Sequence, residues 1–386
     1  KNYHFYIYQN QMSSKKNNSA ALYHQGLKFL KGDGVQKNIK TGGNYIKMAA
    51  DKGNILAICH YAQMLHEGEG FVQDKLEAAK YYKAADKGNL IAMTNYARMT
   101  FNGDGIDVNK KEAAHYFKKA ADKGDSESMN CYAQLLIKGE GVEQNKTEAA
   151  SYFKMASEKG NIPATNIYAL MLFKGEGIEK NTHEALKYFR RAANKGFTES
   201  MVLIGQILFN GEDDIIADKT KAAEYYKKAA EKGHIDANYI YGLMLDTGEG
   251  VPSDKSKAIE YYKKAADEGH VDAMVNIGHL FSKDEKNPKN KEEAAKYYKK
   301  AADKGNVSAM CCIAQMLKSG DGIKENKADA AKYYKKAADA GNVIAMLNYS
   351  IMADAGDGIP EDKDEAQKYR NMASGERNES ETSHTD

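Results

Sequence analysis

The chain has 386 residues, with 56 Lys plus Arg against 54 Asp plus Glu, so its formal charge is +2. That balance excludes a strongly basic nucleic-acid binder and an acidic disordered chain, and 42% hydrophobic with 28% charged residues is folded-domain composition. No apolar run is long enough to cross a bilayer as a helix, and no basic-then-apolar leader is legible, although a start at Lys1 rather than Met leaves an upstream segment open.

Residues 1–17 are expected to be a leader or a cap, because Tyr3-His4-Phe5-Tyr6-Ile7-Tyr8 is too apolar for a free tail. From residue 18 onward the glycines dictate the organisation. Gly53, Gly88, Gly124, Gly160, Gly196, Gly233, Gly269, Gly305 and Gly341 recur every 35 to 37 residues. A fixed period of that size means a solenoid whose units bury their apolar faces against each other. Ten copies follow: 18–53, 54–88, 89–124, 125–160, 161–196, 197–233, 234–269, 270–305, 306–341 and 342–375. The first is irregular, with Gly42-Gly43 where later copies have Ala-Ala, a cost of about 1 kcal/mol per Gly inside a helix. The tail 376–386 is polar and expected to be disordered.

Each copy reads as two helices. In the fourth, Met129, Tyr132, Ala133 and Leu136 mark a one-faced helix, and Gly139-Glu140-Gly141-Val142 breaks it. Asn145 and Glu148 form a capping box for a second helix that runs to about Ser157 and stops before Gly160. Asp74/Glu77, Asn109/Glu112, Asn181/Glu184, Asn290/Glu293 and Asp362/Glu365 repeat that spacing. Pro163 falls in a first turn, and Pro252, Pro288 and Pro360 fall in linkers. The sixth turn, Gly211-Glu212-Asp213-Asp214, keeps one Gly, and the eighth, Asp284-Glu285-Lys286, keeps none. Looser geometry is expected at 211–218 and 282–290.

Runs such as "AQLLIKGEGVEQNKTEAASYFKMASEKGN" and "YGLMLDTGEGVPSDKSKAIEYYKKAADEGH" resemble the Sel1-like repeat, over roughly residues 18–375. The resemblance implies an all-α fold, an α/α right-handed superhelical solenoid of about ten Sel1-like helix pairs related to tetratricopeptide arrays. It also implies use as a non-catalytic adaptor for assembling proteins. Some such arrays serve membrane-protein quality control, and others lie beside a kinase domain in signalling proteins, which makes a regulatory region the alternative reading.

No catalytic, metal or cofactor site is legible. The G-x-G pairs follow helices and lack the Lys-Ser/Thr of a phosphate loop. Cys59, Cys131, Cys311 and Cys312 do not form the helix-to-helix pairs of secreted relatives, which favours a reducing, cytoplasmic location, with the endoplasmic reticulum open if a leader precedes Lys1. The ten His have no ligand spacing. Tyr-Tyr and Tyr-Phe doublets, from Tyr81/Tyr82 to Tyr333/Tyr334, are expected to pack between helices, with the following lysines on a solvated face and Glu224 paired to Lys228. An RNA-reading array is the third possibility, against which the near-zero charge counts.

The informative positions are counted from the Gly that ends the preceding copy. Positions 4, 5, 8, 9, 11 and 12 of each first helix are small or apolar and share one side, while 3, 6, 10 and 13 vary and share the other. The family's architecture places that variable side on a concave groove. Position 13 is polar in His66, Asp246, Ser282, Lys318 and Asp354, yet four consecutive copies carry Phe101, Ile137, Phe173 and Phe209. Flanked at position 10 by Arg98, Gln134, Leu170 and Gln206, this strip is the candidate groove for a protein or peptide ligand, with burial between copies as the alternative. No small-molecule substrate is expected.

Overall fold

A computed structural model describes residues 18–84, 89–283 and 288–375, so the calls on the N-terminal segment and the polar tail lie outside the described residues. The chain divides into two compact units, Lys1–Phe197 and Thr198–Asp386. In the first, the leading helices of successive copies are α1 (18–31), α3 (Ile55–Glu67), α5 (Leu90–Asn102), α7 (Ser126–Lys138) and α9 (Ile162–Lys174). Each is followed by its partner: α2 (Ile39–Asp51), α4 (Lys75–Ala84), α6 (Lys110–Asp122), α8 (Lys146–Glu158) and α10 (Thr182–Asn194). In the second unit the leading helices are α11 (Thr198–Asn210), α13 (Ile235–Thr247), α15 (Val271–Ser282), α17 (Val307–Ser319) and α19 (Val343–Ala355). Their partners are α12 (Lys219–Glu231), α14 (Lys255–Asp267), α16 (Pro288–Asp303), α18 (Lys327–Asp339) and α20 (Lys363–Ser374). No strand occurs among the described residues. Within each unit every helix packs on the one before and the one after it in the chain.

Local chemistry explains these boundaries. The first helices start at side-chain caps, as where Asp125 accepts from the Ser128 amide and Asn161 from the Ala164 amide. They end on left-handed glycines such as Gly139, at φ 69°. The capping box forms only in half. Asn145 Oδ1 accepts from the Glu148 amide at 3.0 Å. Its backbone N–H, however, donates to the Leu136 carbonyl at 2.9 Å, tying the turn back to the first helix, and only the Asn145 side-chain Nδ2 reaches the Glu148 carboxylate, at 3.4 Å. Pro288 is not in a linker but opens α16, which has 16 residues where most helices have 13. Pro tolerates that place because the first helical amide has no partner to lose.

Packing is as periodic as the sequence. Positions 4, 5, 8, 9, 11 and 12 of α7 are Ser128, Met129, Tyr132, Ala133, Leu135 and Leu136, and all six are buried. Where the leading helix carries a Tyr, the first ring of the doublet meets it edge to face, as in Tyr96–Tyr116 at 4.8 Å and Tyr132–Tyr152 at 5.1 Å. The Tyr152 hydroxyl also donates to Asp122 of the previous copy at 2.7 Å. The second ring is buried against the small residue at position 9: a Cβ on Gly242 would stand 2.8 Å from Tyr262. Gly43 is likewise needed, since a Cβ there would lie 2.5 Å from Phe71. Lys228 Nζ lies over the Tyr225 ring at 5.4 Å, in place of the expected pairing with Glu224.

Candidate protein-binding face

The variable side of the first helices is not uniform. Position 10 is open: Arg98, Gln134 and Gln206 are exposed, and Leu170 is half-buried. Position 13 is neither open nor sealed. Phe101, Ile137, Phe173 and Phe209 are all half-buried. Three of these rings lie under lysines of their own copy: Lys110 over Phe101 at 5.6 Å, Lys180 over Phe173 at 6.0 Å and Lys219 over Phe209 at 4.9 Å. The first three members of the row belong to the first unit, whereas Gln206 and Phe209 belong to the second.

Position 6 departs from the expectation that it lines a groove. Thr94 is buried and its hydroxyl meets Ser128 Oγ at 2.7 Å and donates to Asp125 Oδ2 at 3.2 Å, the first turn and the cap of the next leading helix. Val275 is buried too, and Tyr239 stacks on His270 at 4.3 Å. Successive leading helices meet along this line, so it is a seam between copies.

Two features were not singled out from the sequence. Position 3 carries Leu56 and Ile91, which are 60% and 65% exposed and so project apolar surface beside the position 10 line. The signal was an apolar residue at a position that is Glu127, Pro163 or Glu199 in the following copies. Between α3 and α5 a cavity of about 380 Å³ is lined by Gln63, His66, Tyr82, Ile91, Arg98 and Asp104, among others. Arg98 is held by Glu127. Asp104 accepts from Lys75 Nζ at 2.6 Å and meets His66 Nε2 at 2.6 Å, and these partners hold its carboxyl below the ordinary range.

Asp104 belongs to a series. The residue between the paired glycines meets the first-turn lysine of the preceding second helix in Lys110–Glu140 (3.1 Å), Lys146–Glu176 (3.0 Å), Lys291–Asp321 (2.8 Å) and Lys327–Asp357 (2.8 Å). The second glycine lies on that helix start: a Cβ on Gly141 would fall 2.1 Å from the Lys110 carbonyl oxygen. The G-x-G turns therefore clasp neighbouring copies.

Nothing in these groups resembles an activated nucleophile. Burial pushes the Cys59 and Cys131 thiols up to about 11, away from reactive thiolate. Among the described residues no group of three or more His, Cys, Asp or Glu is placed to hold a metal ion, and no helix is long and apolar enough to cross a membrane.

Stacked helix pairs joined by paired-glycine turns define an all-α solenoid. The Sel1 repeat pattern matches ten consecutive stretches: 19–54, 55–89, 90–125, 126–161, 162–197, 198–234, 235–270, 271–306, 307–342 and 343–374. The chain belongs to the Sel1 repeat family, whose members generally mediate protein–protein interaction on a fold that is typically non-catalytic. It is similar to c5321, a protective antigen present in uropathogenic Escherichia coli strains and displaying an SLR fold. The identity is 26% and the TM-score 0.75, over 97% of this chain and 82% of that one. It also shares its fold with a Sel1 repeat protein from Oxalobacter formigenes, at 22% identity and TM-score 0.64, over 78% of this chain and 88% of that one. Comparison with curated proteins gave no match.

Proposed function

We propose that the chain is a non-catalytic scaffold whose first unit holds a segment of another protein on the exposed side of α3, α5, α7 and α9. The observation that carries this reading is the cavity beside Arg98, with Ile91 standing in its wall and the open position 10 line continuing from it through Gln134. Apolar side chains next to fixed polar groups are what a peptide needs for both area and orientation. The half-buried rings of Phe101 and Phe173, with Ile137, contribute an edge of apolar surface rather than an open strip. Gln206 and Phe209 hold the same register in the second unit. The test is capture of partners from a lysate by the wild type and by an Ile91→Asp/Arg98→Glu/Gln134→Glu variant, followed by identification and purified rebinding. These sites are exposed, so the helical circular dichroism should persist while rebinding is lost. Rebinding at wild-type affinity would remove this face from the account. Replacing Phe101 and Phe173 by Asp is a poorer test, because half-buried rings also support the fold.

A further inference from the structure

The second unit contains a cleft whose charge sets it apart from its counterparts in the third to fifth copies. A cavity of about 770 Å³ lies between α16 and the turn after α17, lined by Lys291, Lys296, Lys299 and Lys324 against Glu292 and Asp321. A second cavity, of about 210 Å³, shares Lys299 and Ile323 with the first and adds Lys332 and Lys336 against Asp329. Its floor is apolar: Ile313 and Leu317 are buried and Ile323 is half-buried. Several lysines are already matched, Lys291 with Asp321, Lys296 with Glu293 and Lys332 with Asp329. Lys299 and Lys324 have no carboxylate partner among the described residues. The positions equivalent to Lys324 in the third, fourth and fifth copies are Asp107, Glu143 and Glu179. Where the fifth copy follows the fourth, Lys146 and Lys154 are balanced by Glu176 and Glu179. Lys324 thus stands where the third to fifth copies place an acid.

We infer that this cleft is a docking site for an acidic protein segment carrying apolar side chains, which places its carboxylates on Lys299 and Lys324 and an apolar side chain against Ile323. Charge complementarity identifies the occupant, and the apolar floor selects a peptide over a phosphate chain. Glu292, Asp321 and Asp329 interrupt the run of lysines that a nucleic-acid backbone would follow. The site lies within the second unit and is independent of the face around Arg98.

The experiment is fluorescence anisotropy with a labelled peptide of sequence EELEELEELE, its Glu→Gln counterpart and a single-stranded oligo-dT. The acidic peptide should bind, and Lys299→Glu/Lys324→Glu should weaken it about tenfold or more. Lys80→Glu/Lys187→Glu, on exposed lysines of the first unit, should leave it unchanged. Affinity should fall as salt rises from about 50 to about 300 mM. Lys299→Gln/Lys324→Gln, which introduces no repulsion, should lose affinity in the same direction with an unaltered melting curve. Equal binding by either cleft variant, equal binding of the Gln peptide, or oligo-dT binding through the same lysines in preference to the peptide would overturn the proposal.

Discussion

The two units use one frame to present different inner surfaces. In the third to fifth copies the second ring of the doublet is Phe117, Phe153 or Phe189, and position 13 is Phe101, Ile137 or Phe173. In the seventh to ninth copies the ring is Tyr262, Tyr298 or Tyr334, and position 13 is Asp246, Ser282 or Lys318. The hydroxyl accounts for part of the coupling. Tyr334 donates to Gln315 Oε1 at position 10 at 2.8 Å, and Tyr298 lies 3.4 Å from Ser282 Oγ at position 13, so a phenol in this place can meet polar groups of the variable face, although the buried Tyr262 hydroxyl makes no hydrogen bond to Asp246. A phenyl ring asks for no partner, and apolar neighbours follow. Tyr226 with Phe209 runs against the trend. The comparison teaches that the polarity of the variable face is set partly from beneath it, by one atom on the second helix.

The frame common to both units should be the most sensitive to change. Gly141→Ala puts a Cβ 2.1 Å from the Lys110 carbonyl oxygen at a φ of 72°, and should cost about 3 kcal/mol. Gly160→Ala, at φ 88° with nothing within 4 Å, should cost about 1 kcal/mol, from backbone strain alone. Urea unfolding of both variants measures the gap, and equal losses would show that the close approach to the preceding copy is not a constraint.

Exchange of the rings tests the coupling itself. Phe189→Tyr should cost about 2 kcal/mol, because positions 10 and 13 of its copy are Leu170 and Phe173 and offer its hydroxyl no partner, and adding Leu170→Gln should recover part of the loss. Tyr334→Phe should cost about 1 kcal/mol or less, since Gln315 is exposed and water replaces the lost donor. Thermal melts of the four chains decide whether ring and face are linked.

Acid should loosen the junctions next. Lys75 and His66 hold Asp104 below its ordinary 3.8, and Lys83 holds Glu112 below 4.5. The unfolded chain therefore binds more protons over that range, and stability is full above the ordinary values and lost as pH falls through them. The melting temperature should drop on acidification, and Asp104→Asn should flatten the slope. The smallest effect belongs to the solvent-screened clasp pairs: Lys110→Ala should cost less than about 1 kcal/mol, with the loss shrinking in high salt.

Much of this architecture is written in short-range terms. The period of the glycines, the Asx caps and the apolar positions 4, 5, 8, 9, 11 and 12 each depend on interactions within one copy, and the ten pairs could be placed from residue order alone. The glycine pair at residues 42 and 43 reads from the sequence only as a propensity cost, because what requires it, the close approach of Leu30, Met64 and Phe71, comes from α1, α3 and the turn after α3. Position 6 was assigned to open surface for the same cause: Thr94 is covered by Asp125 and Ser128 of the following copy.

Residue order thus dictates the repeating helix pair, since helix periodicity, caps and positive-φ turns act over a few residues. Which variable side chains meet water is settled by neighbours about a repeat away. A seam at Thr94, an opening at Ile91 and a cationic cleft at Lys299 are indistinguishable until adjacent copies are stacked.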